Sequence, residues 1–207
     1  MEDRKKTNDS QRIHTRLRKN FNLITNITSI SIVLAIILIV FTSVQFNHSL
    51  KSYGFIQGDI GKAMTVFADS RSALRAVIGY LDAGSISEQQ EIYFDKRDSF
   101  TTYFNSITEQ CNYSEAKKIC DNISSVIDDY WTLSDEIIRQ GATSDVNASN
   151  NAQRLEMNKL TPEYDTIYGY MKQLMDCYVT KGNAYKRQLN IIEFVCIAVI
   201  FLLIAAT

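Results

Sequence analysis

Proline occurs once in this 207-residue chain, at Pro162, and glycine only eight times. That scarcity excludes a collagen-like, loop-rich or disordered class. Period-two alternation bounded by turn residues is also missing, so a sheet protein is excluded. There is no phosphate-binding glycine loop, no G-x-S-x-G and no H-E-x-x-H, and no enzyme activity is expected. The two histidines, His14 and His48, flank an apolar run from opposite ends and cannot share an ion, so no metal and no cofactor are expected. Strong net charge is absent as well. Residues 47–190 hold 15 Lys/Arg against 19 Asp/Glu, which argues against a nucleic-acid partner.

What the chain does have is apolar runs at both ends and helical periodicity between them. An uncharged window runs from Asn20 to Leu50, densest from Ile30 to Val44. About 20 residues suffice to cross a bilayer, and the absence of an A-x-A-like cleavage site favours an uncleaved anchor. A second apolar run begins at Ile191 and stops after 17 residues without a charged flank, so the expectation is a second span cut short. Residues 1–19 carry seven basic side chains against three acidic ones. By the positive-inside rule this tail stays cytoplasmic, next to membrane lipid, and it reads as unstructured. The expected layout is a basic tail (1–19), a first transmembrane helix (20–46), an extracytoplasmic domain (47–190) and a second transmembrane helix (191–207) in the cell membrane.

Stepping by four and three from Phe46 gives Leu50, Tyr53, Gln57, Ile60, Met64, Phe67, Arg71, Leu74, Ile78 and Leu81. Such a repeat is a helix-packing seam, interrupted only by Gln57 and Arg71. The first helix is expected to stop near Asp82, at Ala83-Gly84-Ser85. Ser87 to Gln90 reads as the capping box of a second helix, with a seam of Tyr93, Arg97, Phe100, Phe104, Ile107 and Cys111. A break at Asn112-Tyr113-Ser114 precedes a third helix, capped by Ser114, with a stripe of Ala116, Cys120, Ile123, Ile127, Tyr130, Ser134 and Ile137. Arg139-Gln140-Gly141 ends it, the cation and the glycine both suiting a helix C-terminus. The fourth helix keeps its seam through Met157, Leu160, Tyr164, Ile167, Met171, Leu174, Tyr178 and Lys181. Thr161 is a candidate N-cap for a restart at Pro162, and the segment from Ser149 to Lys159 is surplus length to be folded over the outer end. The fold class expected is all-α: an antiparallel up-down-up-down four-helix bundle flanked by two transmembrane helices.

With the stretches SRSALRAVIGYLDAG, VIDDYWTLSDEIIRQGA and LTPEYDTIYGYM in place, this layout resembles the N-terminal half of bacterial methyl-accepting chemotaxis proteins, of the four-helix-bundle sensor type. The resemblance covers nearly the whole chain, and its pattern is shared with some sensor kinases and cyclases. It implies a homodimeric chemoreceptor in signal transduction, whose second span feeds a cytoplasmic signalling module beyond Thr207. Cytoplasmic signalling partners would be reached only through that part. A sensor half of a histidine kinase or nucleotide cyclase, and a non-sensing membrane adaptor, are the alternatives.

Arg71 is the sharpest single residue, because an unpaired charge on a packing seam is costly. One reading pairs it with a carboxylate inside the bundle or lets it snorkel to the edge. The other makes Arg71 and Arg75, one turn later, a site for a small anionic ligand. Counting from the membrane at 1.5 Å per residue puts them at roughly 36–42 Å, and Thr161, Tyr164 and Tyr168 at roughly 33–44 Å. These five residues are the candidate ligand site. Cys111, Cys120 and Cys177 fall at one level by the same count, and their disulfide state is open. Gln57 and Lys181 share another level, as a polar layer fixing register or a dimer contact.

Overall fold

A computed structural model describes residues 2–205, and every regular element among them is a helix. Helix α1 (Glu2–Ser49) is followed by a π-helical turn (Leu50–Gly54) and by α2 (Phe55–Gly79). Helices α3 (Ala83–Gln110) and α4 (Ser114–Gly141) come next, then a short α5 (Val146–Leu155). A second π-helical turn (Glu156–Leu160) leads into α6 (Thr161–Ala205). The all-helical expectation therefore holds. The amino-terminal segment differs from the unstructured tail expected, being helical from Glu2. Neither Pro nor Gly occurs before Gly54, so nothing in the chain stops a helix propagating back from the apolar run.

The chain divides into two compact units. One comprises residues 1–49 with 184–207. It contains the apolar windows of α1 and α6, which are long enough to cross a membrane and almost wholly exposed. Within it, Leu34, Leu38 and Phe41 of α1 and Ile192, Val195 and Cys196 of α6 line a common groove of about 370 Å³. The Tyr185 hydroxyl donates to Gln45 Oε1, and the Tyr185 ring lies 5.8 Å from that of His48.

The other unit, residues 50–183, holds the hydrophobic core. Phe67 of α2 stands at its centre. Its ring meets Phe100 of α3 at 5.1 Å, Tyr130 of α4 at 5.0 Å and Tyr164 of α6 at 4.9 Å. Four helices thus contribute aromatic rings to a single cluster, and rings at such spacings gain beyond simple burial. The α4 stripe is buried in full from Ala116 to Ile137, as its period requires.

Helix ends depart from the sequence reading in instructive ways. Helix α2 stops at Gly79, earlier than Asp82, and α3 begins at Ala83 rather than after Ser87. Its cap is the Asp82 carboxylate, which accepts from the amides of Gly84 and Ser85 at 3.2 and 2.8 Å. The Ser85 side chain, and then these two amides, hold the exposed Asp82 carboxyl below its usual range. Gly84 therefore belongs to the first turn of α3 and is no helix stop. Ser114 is the first residue of α4, and Tyr113 occupies the cap position without a side-chain bond. Gly141 ends α4, but with no positive φ. Its reason for being glycine is space, since a Cβ there would meet Ala152 Cβ at 2.5 Å and Ile78 Cγ2 at 2.7 Å. Helix α5 is what crowds it. Ser149 Oγ and Gln153 Nε2 donate to the Ile78 carbonyl, at 2.5 and 3.1 Å. One of the carbonyls left unpaired where α2 ends is satisfied in this way. So the surplus before Pro162 forms a helix that closes the ends of α2 and α4.

Gly141→Ala is expected to lower unfolding stability by about 1–3 kcal/mol through overpacking. Gly169→Ala, whose Cβ would meet nothing within 4 Å, should raise it by up to about 1 kcal/mol through helix propensity. Urea denaturation followed by circular dichroism checks both.

Candidate functional site

The second π turn decides how this region is built. Pro162 has no amide hydrogen, and in a regular helix its ring crowds the carbonyl four residues back. Here the Thr161 amide instead bonds the Glu156 carbonyl, five residues back. The wide turn shifts the helical phase. Met157, expected on the seam, is 66% exposed, while Glu156 turns inward and is 2% exposed. Thr161 is correspondingly not an N-cap, because its φ of −55° and ψ of −47° are helical. A π turn inside a helix marks a place where local regularity has yielded to another demand, often a functional one.

That demand is visible in the partners of Glu156. Arg71 Nε and Arg75 Nε of α2 both donate to its Oε1, at 3.1 and 2.9 Å. The Thr161 hydroxyl donates to the same oxygen at 3.3 Å and accepts from Arg71 Nη2 at 2.6 Å. The Arg71 guanidinium also lies over the Tyr164 ring, 4.1 Å from its centroid, a cation–π contact. Tyr164 also stacks with Phe67 at 4.9 Å and with Tyr168 at 5.5 Å. Of the five residues singled out by sequence, four converge on one point, and Tyr168 joins them only through the ring of Tyr164.

The charges are distributed unevenly. The Arg71 and Glu156 side chains are 12% and 3% exposed, whereas that of Arg75 is 50% exposed. Two guanidiniums against one carboxylate leave this hydrogen-bonded set with one positive charge in excess. Chemically, such a set can hold one carboxylate, and the protein's own Glu156 occupies it. Charge-assisted bonds of this kind are stronger than neutral ones, and losing one partner would strand the other in a poorly solvated place.

The surrounding tyrosines are kept protonated. Burial, helped by neighbouring Tyr168, pushes the Tyr164 phenol up against the opposing pull of Arg71. Burial pushes up the Tyr130 phenol too, with the neighbouring Tyr93 adding to it. Burial and then the nearby Asp129 raise the Glu163 carboxyl. Elsewhere in this unit, Arg97 makes a two-pronged contact with Asp135 at 2.8–2.9 Å. Gln57 Nε2 donates to the Tyr178 carbonyl at 3.2 Å, and Lys181 pairs with Glu115 at 3.6 Å. Gln57 therefore ties α2 to α6, while Lys181 ties α6 to α4.

Glu156 is the residue that sequence reasoning missed. Its signal was present: Leu160 and Tyr164 follow it at intervals of four, the spacing that places residues on one helix face. Comparison with protein-family models, with curated proteins and with solved structures finds no match for this chain.

Glu156→Ala is expected to cost about 3–5 kcal/mol, the range for stranding one member of a buried pair. Arg75→Ala should cost under about 1 kcal/mol, since its side chain is half in water. Combining Glu156→Ala with Arg71→Met should cost less than the sum of the two alone, the coupling expected of contacting groups. Denaturation midpoints of the three variants and the double variant decide this.

Proposed function

We propose that this chain is the sensor part of a chemoreceptor-like membrane protein, in which residues 50–183 form an extracytoplasmic up-down-up-down four-helix bundle. The apolar windows of α1 and α6 support the membrane anchors, and the basic amino-terminal segment supports a cytoplasmic N-terminus. The aromatic cluster around Phe67, with rings from four helices, supports the bundle. A homodimer follows from the resemblance to chemotaxis receptors.

The observation that carries the sensing role is the convergence of Arg71, Thr161 and Tyr164 around a carboxylate. A small anionic ligand bearing a carboxylate takes the place of Glu156 on the two arginines. Glu156 is then released with its π turn, and α6 settles into a second packing. Because α6 continues from Thr161 to Ala205 without a break, a displacement at its start is delivered along one element to the apolar stretch. The ligand's affinity for the second packing must exceed that for the first, because only differential binding shifts a two-state equilibrium. Output then lies with a module beyond Thr207.

A second reading has its own support. Glu156 already satisfies the arginines, which is how a structural lock in a non-sensing adaptor would look.

Titration calorimetry with amino acids and organic acids separates the two. The sensor reading expects binding by the wild type and its loss in Arg71→Ala. Equal binding by both, or no heat with any acid, leaves the lock. Orientation has its own test: Asn150→Cys should react with a membrane-impermeant maleimide in intact cells. Labelling seen only after lysis would reverse the topology.

A further inference from the structure

We propose that Cys111 and Cys120 form a dithiol–disulfide site, closed by thiol–disulfide exchange with a disulfide donor such as oxidised glutathione. The four cysteines are all free, at positions 111, 120, 177 and 196. The Sγ atoms of Cys111 and Cys120 lie 3.9 Å apart, against about 2.05 Å for a disulfide. Cys111 is the residue just past α3, with an extended ψ of 101°, and Cys120 is on the second turn of α4. Between them Asn112 and Tyr113 are not helical, so the remaining approach falls on a turn and two side-chain rotations rather than on a packed helix.

The two thiols differ in a way that orders the chemistry. Cys111 is partly exposed and Cys120 is buried. Burial and the neighbouring Cys111 push the Cys120 thiol up to about 12, so it is not the first to react. Cys111, as thiolate, attacks one sulfur of the donor and expels the first donor thiolate, leaving a mixed disulfide. Cys120 then loses its proton and attacks the Cys111 sulfur, which needs no access from solvent, and the second donor thiolate leaves. The two thiol protons end on the two released thiols. Cys111 and Cys120 are oxidised by two electrons in all, and the donor disulfide is reduced to two thiols. Cys177 stands aside, its thiol donating to Glu115 Oε2 at 3.7 Å and raised by burial and that carboxylate.

The site has a route to α6. The Tyr178 hydroxyl donates to Cys111 Sγ at 3.5 Å, and the Tyr178 carbonyl is the acceptor for Gln57 of α2. Closing the disulfide moves a sulfur on which that hydroxyl rests, so oxidation is felt on the element proposed to carry the signal. Supply of the donor in the cell rests on the extracytoplasmic placement proposed above. The chemistry of the pair does not.

The test therefore uses the purified full chain in detergent, where orientation and ligand play no part. The protein is equilibrated in reduced or oxidised glutathione, trapped with iodoacetamide and mapped by peptide mass spectrometry. The expected result in oxidised glutathione is a peptide pair joined through Cys111 and Cys120 and lacking two hydrogens. Cys177 and Cys196 should then be the two cysteines alkylated, and dithiothreitol should restore all four. Four alkylated cysteines in oxidised glutathione, or a bond from Cys111 to Cys177, overturns the proposal. Cys120→Ser should stop at a stable glutathione adduct on Cys111, and an absence of adduct there would overturn the order of attack. The wild-type map stands on its own if that variant fails to fold.

Discussion

A carboxylate held away from water by two guanidiniums constrains everything around it. Glu156 reaches Arg71 and Arg75 from a π turn, where the backbone widens by one residue between Glu156 and Leu160. A buried carboxylate without partners would be costly, and so would a buried Arg71, so neither end tolerates independent movement. The π turn and the proline after it are consistent with that demand: Pro162 makes the regular bonding pattern impossible, and the wide turn then costs less than it otherwise would. Thr161, whose hydroxyl bridges the pair, and Tyr164, whose face lies against Arg71, complete a set in which each group positions the next.

From this set the packing of residues 50–183 can be followed outward. Tyr164 passes the arrangement to Phe67, and Phe67 to Phe100, Tyr130 and Trp131, so the polar site and the aromatic core share a wall. Helix α5, just before the π turn, closes the end of α2 through the Ile78 carbonyl and crowds Gly141. A change in how Glu156 is held would reach α5 and α6 together, because both adjoin the turn that carries it. At the far end of α2, Gln57 and Cys111 bear on Tyr178, a second point of purchase on α6. Two separate chemistries, an anion contact and a thiol pair, therefore meet the same helix.

Much of the fold was legible in the chain. A 3.5-residue repeat with one proline leaves little but helices, and the α4 stripe was read residue by residue because a fully periodic helix has one solution. Arg71, Arg75, Thr161 and Tyr164 were legible as a set because equal counts along neighbouring helices bring equal heights together. Helix ends were harder. Asp82 and Ser87 are both competent caps for α3, and the choice between them is made by where α2 stops, not by the local residues.

The sequence by itself determined the helical class, the apolar windows of α1 and α6, and the faces turned to the core, since these follow from periodicity and hydropathy along the chain. It also determined that Arg71 needed an answer, because a cation on an apolar seam is anomalous wherever it occurs. Only the tertiary structure decided what that answer was. The partner lies 85 residues away, in the π turn before α6. The balance of buried charge that holds Glu156 inward exists only once α2 and the π turn are in contact.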